Sequence, residues 1–257
     1  MRFHKMHALG NDFVVFGNPA QTRLPEPKTI RSLCNRRYGI GADCAVFIGK
    51  SAKAHYSMHI YNPDGFEAEM CGNALRCSAQ YVLNCGFFTK NELSAETNSG
   101  IHNIYISEGE VNAQIGKPKI LQQGNLKVSN MVFPYVHISM GNPHCVVFSV
   151  CLNDDEFNDF GYEIEHHPLF PDGTNVEFIY SYDKENIFIR VWERGIGETL
   201  SCSTGSCACV AAISDRMSSP YVNVHQPGGI ITVETKNNGD MFIKSKVETV
   251  YIGNINI

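Results

Sequence analysis

Two cysteines stand at the head of matching segments about half a chain length apart. The first segment reads Met70-Cys71-Gly72-Asn73-Ala74-Leu75-Arg76-Cys77; the second reads Ser201-Cys202-Ser203-Thr204-Gly205-Ser206-Cys207-Ala208. In each, a thiol is followed by small or polar residues and then by an apolar run of helical character. One thiol so placed suggests a nucleophile. Two in matching halves suggest a pair facing each other across a cleft, where one sulfur removes a proton from a carbon and the other returns one from the opposite side.

Position would tune such thiols. A cysteine just before a helix meets the positive end of the backbone dipole, which lowers a thiol pKa from about 8.5 toward neutrality. The N–H groups of the first turn also bind anions, such as a substrate carboxylate. A carboxylate held at both helix starts would place its α-carbon between the sulfurs, with both dipoles stabilising the charge that develops as the α-proton leaves.

The elements that must position these thiols are mostly short strands. Residues 13–16, 45–48 and 55–61 are strand-like, the last with alternating polarity, and Asn62-Pro63-Asp64-Gly65 is a turn. A helix is predicted from Cys71 through Asn84, ended by Gly86 as its C-cap. Strands follow at 103–107 and 111–115. The second half repeats this order: strands 136–140 and 145–148 flank the turn Gly141-Asn142-Pro143-His144. Strands 175–180 and 186–192 lead to Cys202, a helix over 205–216, and strands 230–235 and 241–246. A shorter helix is predicted over 28–37. The pattern reads as an α+β duplication, two pseudo-symmetric strand-rich domains each wrapped round a central helix, with the active site in the cleft between them. The boundary falls at 117–124, giving one domain of residues 1–117 plus a closing strand 246–257, and a second of 118–245.

Composition bounds the functional classes. A chain of 257 residues, 43% hydrophobic, can bury one large core or two ordinary ones. Its net charge of −5 provides no basic footprint, so nucleic acid is not an expected partner. No stretch reaches the roughly 20 apolar residues of a membrane helix, and the N-terminus lacks the apolar core of a signal peptide. The cytoplasm is the expected compartment. Ten cysteines are many for such a chain, yet paired C-x-x-C spacing appears nowhere in the sequence and no H-x3-5-H pair completes a ligand set. Crowding of Cys202, Cys207 and Cys209 keeps a structural zinc or redox-sensing protein open as an alternative. Taken singly, the other cysteines read as small buried hydrophobes.

The chain closely resembles the diaminopimelate epimerase family of cofactor-independent amino-acid racemases. The resemblance rests on ordered stretches: residues 7–13 (His-Ala-Leu-Gly-Asn-Asp-Phe), 37–43, 61–65, 69–73, 141–144, 173–176 and 193–199 leading into Cys202. It implies LL/meso epimerisation of 2,6-diaminopimelate, on the route to lysine and peptidoglycan, by two-base proton exchange without pyridoxal phosphate or metal. Cys71 and Cys202 would be the bases, one a thiolate and the other a thiol, with His144 and Glu193 biasing their protonation. Backbone N–H groups of Gly72 and Asn73, and of Ser203 and Thr204, would hold the reacting carboxylate. Asn11, Asn62, Asn142 and Asn175 would supply neutral hydrogen bonds, and Glu193 with Arg194 would recognise the distal ammonium and carboxylate. A homodimer is usual in the family.

Each residue also has an ordinary reading. Asparagines beside Gly or Pro are turn residues when taken singly, Glu193-Arg194 can be a solvated strand end, and a lone His144 can be a hydrogen-bonded core histidine. The sequence departs from the family pattern in three places. Cys44 replaces a ligand-contacting glutamine, and a thiol cannot match both the donor and the acceptor of an amide. Ser203 replaces a glycine, and Ala8 replaces another. Cys44 therefore keeps open a racemase of the same fold acting on a single-centre amino acid such as histidine.

Overall fold

The computed structural model describes residues 1–20, 24–68 and 70–256. The chain divides into two compact units, Met1–Gln114 with Lys244–Ile257, and Ile115–Ile243.

In the first unit, β1 (Arg2–Ala8) and β2 (Asn11–Gly17) form a hairpin and are followed by α1 (Pro27–Cys34), β3 (Cys44–Gly49), β4 (Tyr56–Tyr61) and the short β5 (Glu67–Ala68). Then come α2 (Gly72–Asn84), β6 (Glu92–Thr97), β7 (Gly100–Ser107) and β8 (Glu110–Gly116). The sheet runs from β1 through β2, β3, β4, β6 and β7 to β8, with β2/β3 and β4/β6 parallel and the other neighbours antiparallel.

The second unit uses the same plan. Its elements are β9 (Lys119–Val128), β10 (Met131–Ser139), β11 (Pro143–Phe148), α3 (Asp154–Glu165), β12 (Asn175–Tyr182), β13 (Asn186–Glu193), β14 (Gly197–Thr199), α4 (Ser203–Ala212), β15 (Tyr221–Gln226) and β16 (Gly229–Thr235). Strand order is β9-β10-β11-β12-β13-β15-β16, again with two parallel steps, β11/β12 and β13/β15. The chain ends through β17 (Met241–Lys246) and β18 (Glu248–Asn254), and β18 pairs antiparallel with β1 beside β2, as β9 pairs with β10 beside β11. The two units are thus topological equals: α1 and α3 occupy one parallel crossover, α2 and α4 the other.

Composition explains why α2 and α4 are central. Both are rich in Gly, Ala, Ser and Cys, and nearly every residue of α4 is buried. A helix without a polar face must be covered all round, and small side chains let several strands approach it. Accordingly α2 packs on β1–β4, β6 and β7, and α4 on β10–β13, β15 and β16. The opposite sheet faces are covered by α1, where Ile30 and Leu33 meet Phe3, Phe16 and Phe47, and by α3, where Phe157 and Ile164 meet Phe133 and Phe178. Strands covered on both faces lose polar alternation, hence runs such as Phe13-Val14-Val15-Phe16.

Several boundaries differ from the sequence reading. The helix predicted over 28–37 is α1 and stops at Cys34, because Asn35 turns extended and its side chain accepts the N–H groups of Arg37 and Tyr38 at 2.9 and 2.8 Å. The helix predicted over 205–216 begins two residues earlier and ends at Ala212, with one 3-10 turn at Ser214–Arg216. Strand β9 occupies the 117–124 stretch from Lys119 onward, and helix α3 was not anticipated. Its start was nevertheless legible, since Asn153 and Glu156 form a reciprocal capping box. Helix α2 spans Gly72–Asn84, and Gly86, at φ +71°, supplies the left-handed exit expected of it. No described helix is long and apolar enough to cross a membrane.

Candidate active site

Each thiol is the N-cap of its unit's central helix. Cys71 precedes α2 with extended backbone angles of φ −142° and ψ 120°, and Cys202 precedes α4 with −120° and 118°. In both places strand-like geometry turns into helix at the sulfur-bearing residue, so the first-turn N–H groups, which a helix cannot use internally, gather beside it. Ser203 is helical and needs no left-handed angle, so it serves there as well as the glycine it replaces.

In the first unit, Asn11, at the start of β2, accepts hydrogen bonds at Oδ1 from Cys71 Sγ (3.8 Å) and Asn73 Nδ2 (3.2 Å). Asn73 is buried and its Oδ1 accepts from Arg76, itself fully buried in α2 and bonded to Ser245. Cys44 opens β3 and places Sγ 3.8 Å from Asn62 Oδ1. The Asn62 turn closes through Gly65 N–H to Asn62 O at 2.9 Å, so this asparagine does structural work with its backbone while its side chain meets Cys44. Glu69 of the quoted motif, and Ile257 of the closing strand, lie outside the described residues.

The second unit brings His144, Asn142, Thr204 and Cys202 into one hydrogen-bonded row. His144 is fully buried; its Nε2 lies 3.1 Å from Asn142 Oδ1, Asn142 Nδ2 lies 3.4 Å from Thr204 Oγ1, and Thr204 Oγ1 lies 3.5 Å from Cys202 Sγ. Gly205 N–H donates to Cys202 Sγ at 3.4 Å. Asn175 bridges two strands, donating to Pro143 O at 2.9 Å and accepting the Arg194 N–H at 3.0 Å. Glu193 accepts from Thr199 Oγ1 at 2.7 Å, while the exposed Arg194 side chain donates to Asp172 O at 3.1 Å.

Three participants were missed in the sequence. Glu177 sits in an apolar run of β12 yet is fully buried, and its Oε1 lies 2.7 Å from His144 Nδ1. Gln226 Oε1 accepts the Cys202 N–H at 2.8 Å, and its Nε2 donates at 2.9 Å to Ser206 Oγ, which in turn donates to Cys202 O at 2.8 Å. Asp43 accepts from Asn11 Nδ2 at 3.0 Å. Only a carboxylate in an otherwise apolar strand, Val176-Glu177-Phe178-Ile179, carries a sequence signal; the other two are unremarkable polar residues.

One expectation is reversed. The helix terminus was predicted to lower the thiol pKa, but burial raises that of Cys202 well above the ordinary thiol value. The nearby carboxylates of Glu193 and Glu177 push in the same direction, and the Thr204 hydroxyl and Gly205 N–H oppose them only in part. Cys202 therefore carries its proton at neutral pH. The neighbouring Cys145 and Cys209 are raised by burial too, with Glu177 adding to both. No disulfide joins any of the ten cysteines, and among the described residues no three metal-ligating side chains converge.

Solved structures share this architecture. The chain is similar to a PhzF-family phenazine biosynthesis protein of Bacillus anthracis (TM-score 0.76, 18% identity, 100% of this chain and 99% of that one). It is also similar to a hydroxyproline epimerase from Agrobacterium vitis, crystallised with trans-4-hydroxy-L-proline (0.74, 15%, 98% and 91%). The fold is thus the duplicated α+β fold of the PhzF proteins and these epimerases. Sequence relatives are more specific. Proteins described as diaminopimelate epimerase from Desulforudis audaxviator and Desulfitobacterium hafniense are 38% and 39% identical to it, each covering 98% of this chain and 98% and 97% of their own length. The family model for diaminopimelate epimerase matches residues 3–121 and 136–256. The chain belongs to the diaminopimelate epimerase family and is an isomerase.

Proposed function

We propose that the chain interconverts LL- and meso-2,6-diaminopimelate by exchanging the proton on one α-carbon between Cys71 and Cys202, in the bacterial supply of lysine and peptidoglycan precursors. The observation that carries this reading is the equivalent placement of the thiols: each caps the central helix of its unit, in a chain that matches its relatives over nearly its whole length. We assign residues 1–117 with 246–257 to the domain bearing Cys71 and 118–245 to the domain bearing Cys202.

The proton inventory follows from the environment of each sulfur. Cys202 enters as a thiol, held protonated by burial and by Glu193 and Glu177. For the stereoisomer whose α-hydrogen faces Cys71, the Cys71 thiolate takes that proton, the carbon carries the electron pair, and the Cys202 thiol delivers its proton to the opposite face. The products are the inverted isomer, a Cys71 thiol and a Cys202 thiolate; the reverse reaction exchanges the roles. The departing proton leaves Cys202 anionic in a buried place, and the Thr204 hydroxyl and Gly205 N–H stabilise that charge. First-turn N–H groups at Gly72, Asn73, Ser203 and Thr204 hold the carboxylate and spread the carbanion charge. Asn11, Asn62, Asn142 and Asn175 orient the rest of the ligand, with Glu193 and Arg194 at the distal head. The reaction needs no cofactor from this arrangement, and the chain acts as a cytoplasmic homodimer.

The test is α-proton exchange followed by NMR in D2O, with LL- or meso-diaminopimelate and the reduced protein. Exchange with inversion by the native chain, lost in Cys71→Ala and in Cys202→Ala, supports the reading. Full inversion by either variant refutes it. Cys44 beside Asn62 favours one second reading, a preference for a single-centre amino acid. Turnover of a panel of such amino acids, with diaminopimelate inert, would establish that preference instead.

A further inference from the structure

Amide groups of asparagine are ordinarily ambiguous, because oxygen and nitrogen can exchange places. At Asn11 the surroundings remove that ambiguity from both ends. Asp43 pairs with the Arg36 guanidinium at 2.6 Å, and a carboxylate facing a guanidinium offers acceptors only. The Asn11 group 3.0 Å from it is therefore the NH2. At the other end Arg76 only donates, so the Asn73 atom it contacts is Oδ1, and the Asn73 NH2 faces Asn11 Oδ1 at 3.2 Å. The row Asp43–Asn11–Asn73–Arg76 runs in one direction, and Asn11 presents its carbonyl oxygen to Cys71 Sγ at 3.8 Å.

We propose that Asp43 is a positioning residue that orients the Asn11 amide so that an acceptor, not a donor, meets the Cys71 sulfur. An acceptor binds the S–H form and disfavours the thiolate, so the orientation keeps the Cys71 thiolate strongly basic. That suits removal of a weakly acidic α-proton. The opposite orientation would donate an N–H to the sulfur, stabilising the thiolate and weakening it as a base. The inference rests on the reading of Cys71 as one of the two bases.

Asn11 faces Cys71 from β2; Asn73, Arg76 and the buried Cys77 lie along the helix that Cys71 caps. Behind Asn11 stands a quartet in which Lys5 and Arg36 balance Asp12 and Asp43. The carboxylate of Asp12 also accepts the Asp43 backbone N–H at 2.8 Å, and Asp43 Oδ2 accepts that of Asp12 at 3.0 Å, which fixes Asp43 in place. Two effects could then link Asp43 to the sulfur: its charge acting at a distance, or the amide it orients.

A double-mutant cycle separates them. The readout is the pH dependence of Cys71 alkylation, measured by peptide-resolved mass spectrometry on the full chain. Asp43→Ala removes the acceptor, and made in an Asn73→Ala chain, where the donor that also pins Asn11 Oδ1 is gone, it lets Asn11 turn over and present its NH2 to the sulfur. The Cys71 midpoint is expected to fall by about one pH unit, making alkylation below the midpoint about tenfold faster. On an Asn11→Ala background the same substitution should leave the midpoint unmoved, and Asp43→Glu, which keeps the acceptor, should return the native value. No shift with Asn11 in place and Asn73 replaced, or an equal shift with and without the Asn11 amide, overturns the proposal. If Asp43→Ala does not fold, judged by thermal denaturation, Asp43→Ser provides the same release. Alkylation is independent of turnover, so a native chain inert toward diaminopimelate would sink the parent reading and leave this cycle interpretable.

Discussion

Gly205 sits against the carboxylate that holds His144, and replacing it with alanine should damage activity and stability together. A Cβ at this position would lie 2.5 Å from Glu177 Oε1 and 3.1 Å from its Cδ and Cγ. Ordinary contact begins near 3.4 Å, so the carboxylate must retreat by about 0.9 Å, a distance that breaks the 2.7 Å bond to His144. Glu177 is fully buried and cannot swing into solvent. Overpacking of this kind costs about 1–3 kcal/mol, while alanine returns up to about 1 kcal/mol of helix propensity. With the full propensity gain returned, the net loss is up to about 2 kcal/mol, a melting point lower by as much as roughly 8 °C. Because His144 connects through Asn142 and Thr204 to Cys202, kcat for diaminopimelate should fall on the order of 100-fold, the usual consequence of an ångström-scale misplacement. Glu177→Asp withdraws the carboxylate by one methylene and should recover part of both losses when combined with Gly205→Ala. A singly substituted Gly205→Ala protein that melts higher than the native chain and keeps full turnover would refute the steric argument.

Stability should fall as pH rises past about 9. Burial raises the folded-state pKa of Cys202, Cys145 and Cys209, and that of Cys34 to about 11, so their contribution is complete below the unfolded thiol value and is lost on passing through it. Melting points measured from pH 7 to 10.5 under reductant test this, and a flat profile would contradict it. At the acid end, burial alone would raise the Asp12 carboxyl, but hydrogen bonds from Arg36 and Lys5 outweigh it and hold the group well below the usual carboxylate range. Asp12 therefore stabilises the fold above the unfolded carboxylate pKa and loses that contribution as pH falls below it. Asp12→Asn leaves the buried Lys5 ammonium with the Gly41 carbonyl but without its carboxylate, and should cost about 3 kcal/mol in urea unfolding; a change under about 1 kcal/mol would mean that the carbonyl alone suffices for Lys5. Gln226→Leu removes the acceptor for the Cys202 N–H and the donor to Ser206, and should lower kcat more than it raises KM. Unchanged kcat would show that the Cys202 backbone needs no such anchor.

The local grammar of the chain accounts for much of its architecture. Small residues after Cys71 and Cys202 mark helices covered on all sides, Asn62-Pro63-Asp64-Gly65 closes its turn, and Gly86 ends α2, because each depends on neighbours within a few residues. The same is true of the capping box at Asn153 and Glu156, whose two residues stand three apart in the sequence. The two-thiol motif and its order among the other motifs likewise lie on the surface of the text. Long-range pairing decides the remainder. His144 and Glu177 are 33 positions apart and meet only because β11 and β12 run parallel in a particular register. Asp43 reaches Asn11, and Gln226 reaches Cys202, by strand neighbours that no local pattern announces. The protonation of Cys202 shows the division most plainly. Its place at a helix start is written in the sequence and argues for a low pKa, whereas its burial beside two carboxylates exists only in the folded chain and reverses the sign. Dipoles follow from local conformation, but desolvation depends on everything packed around the atom.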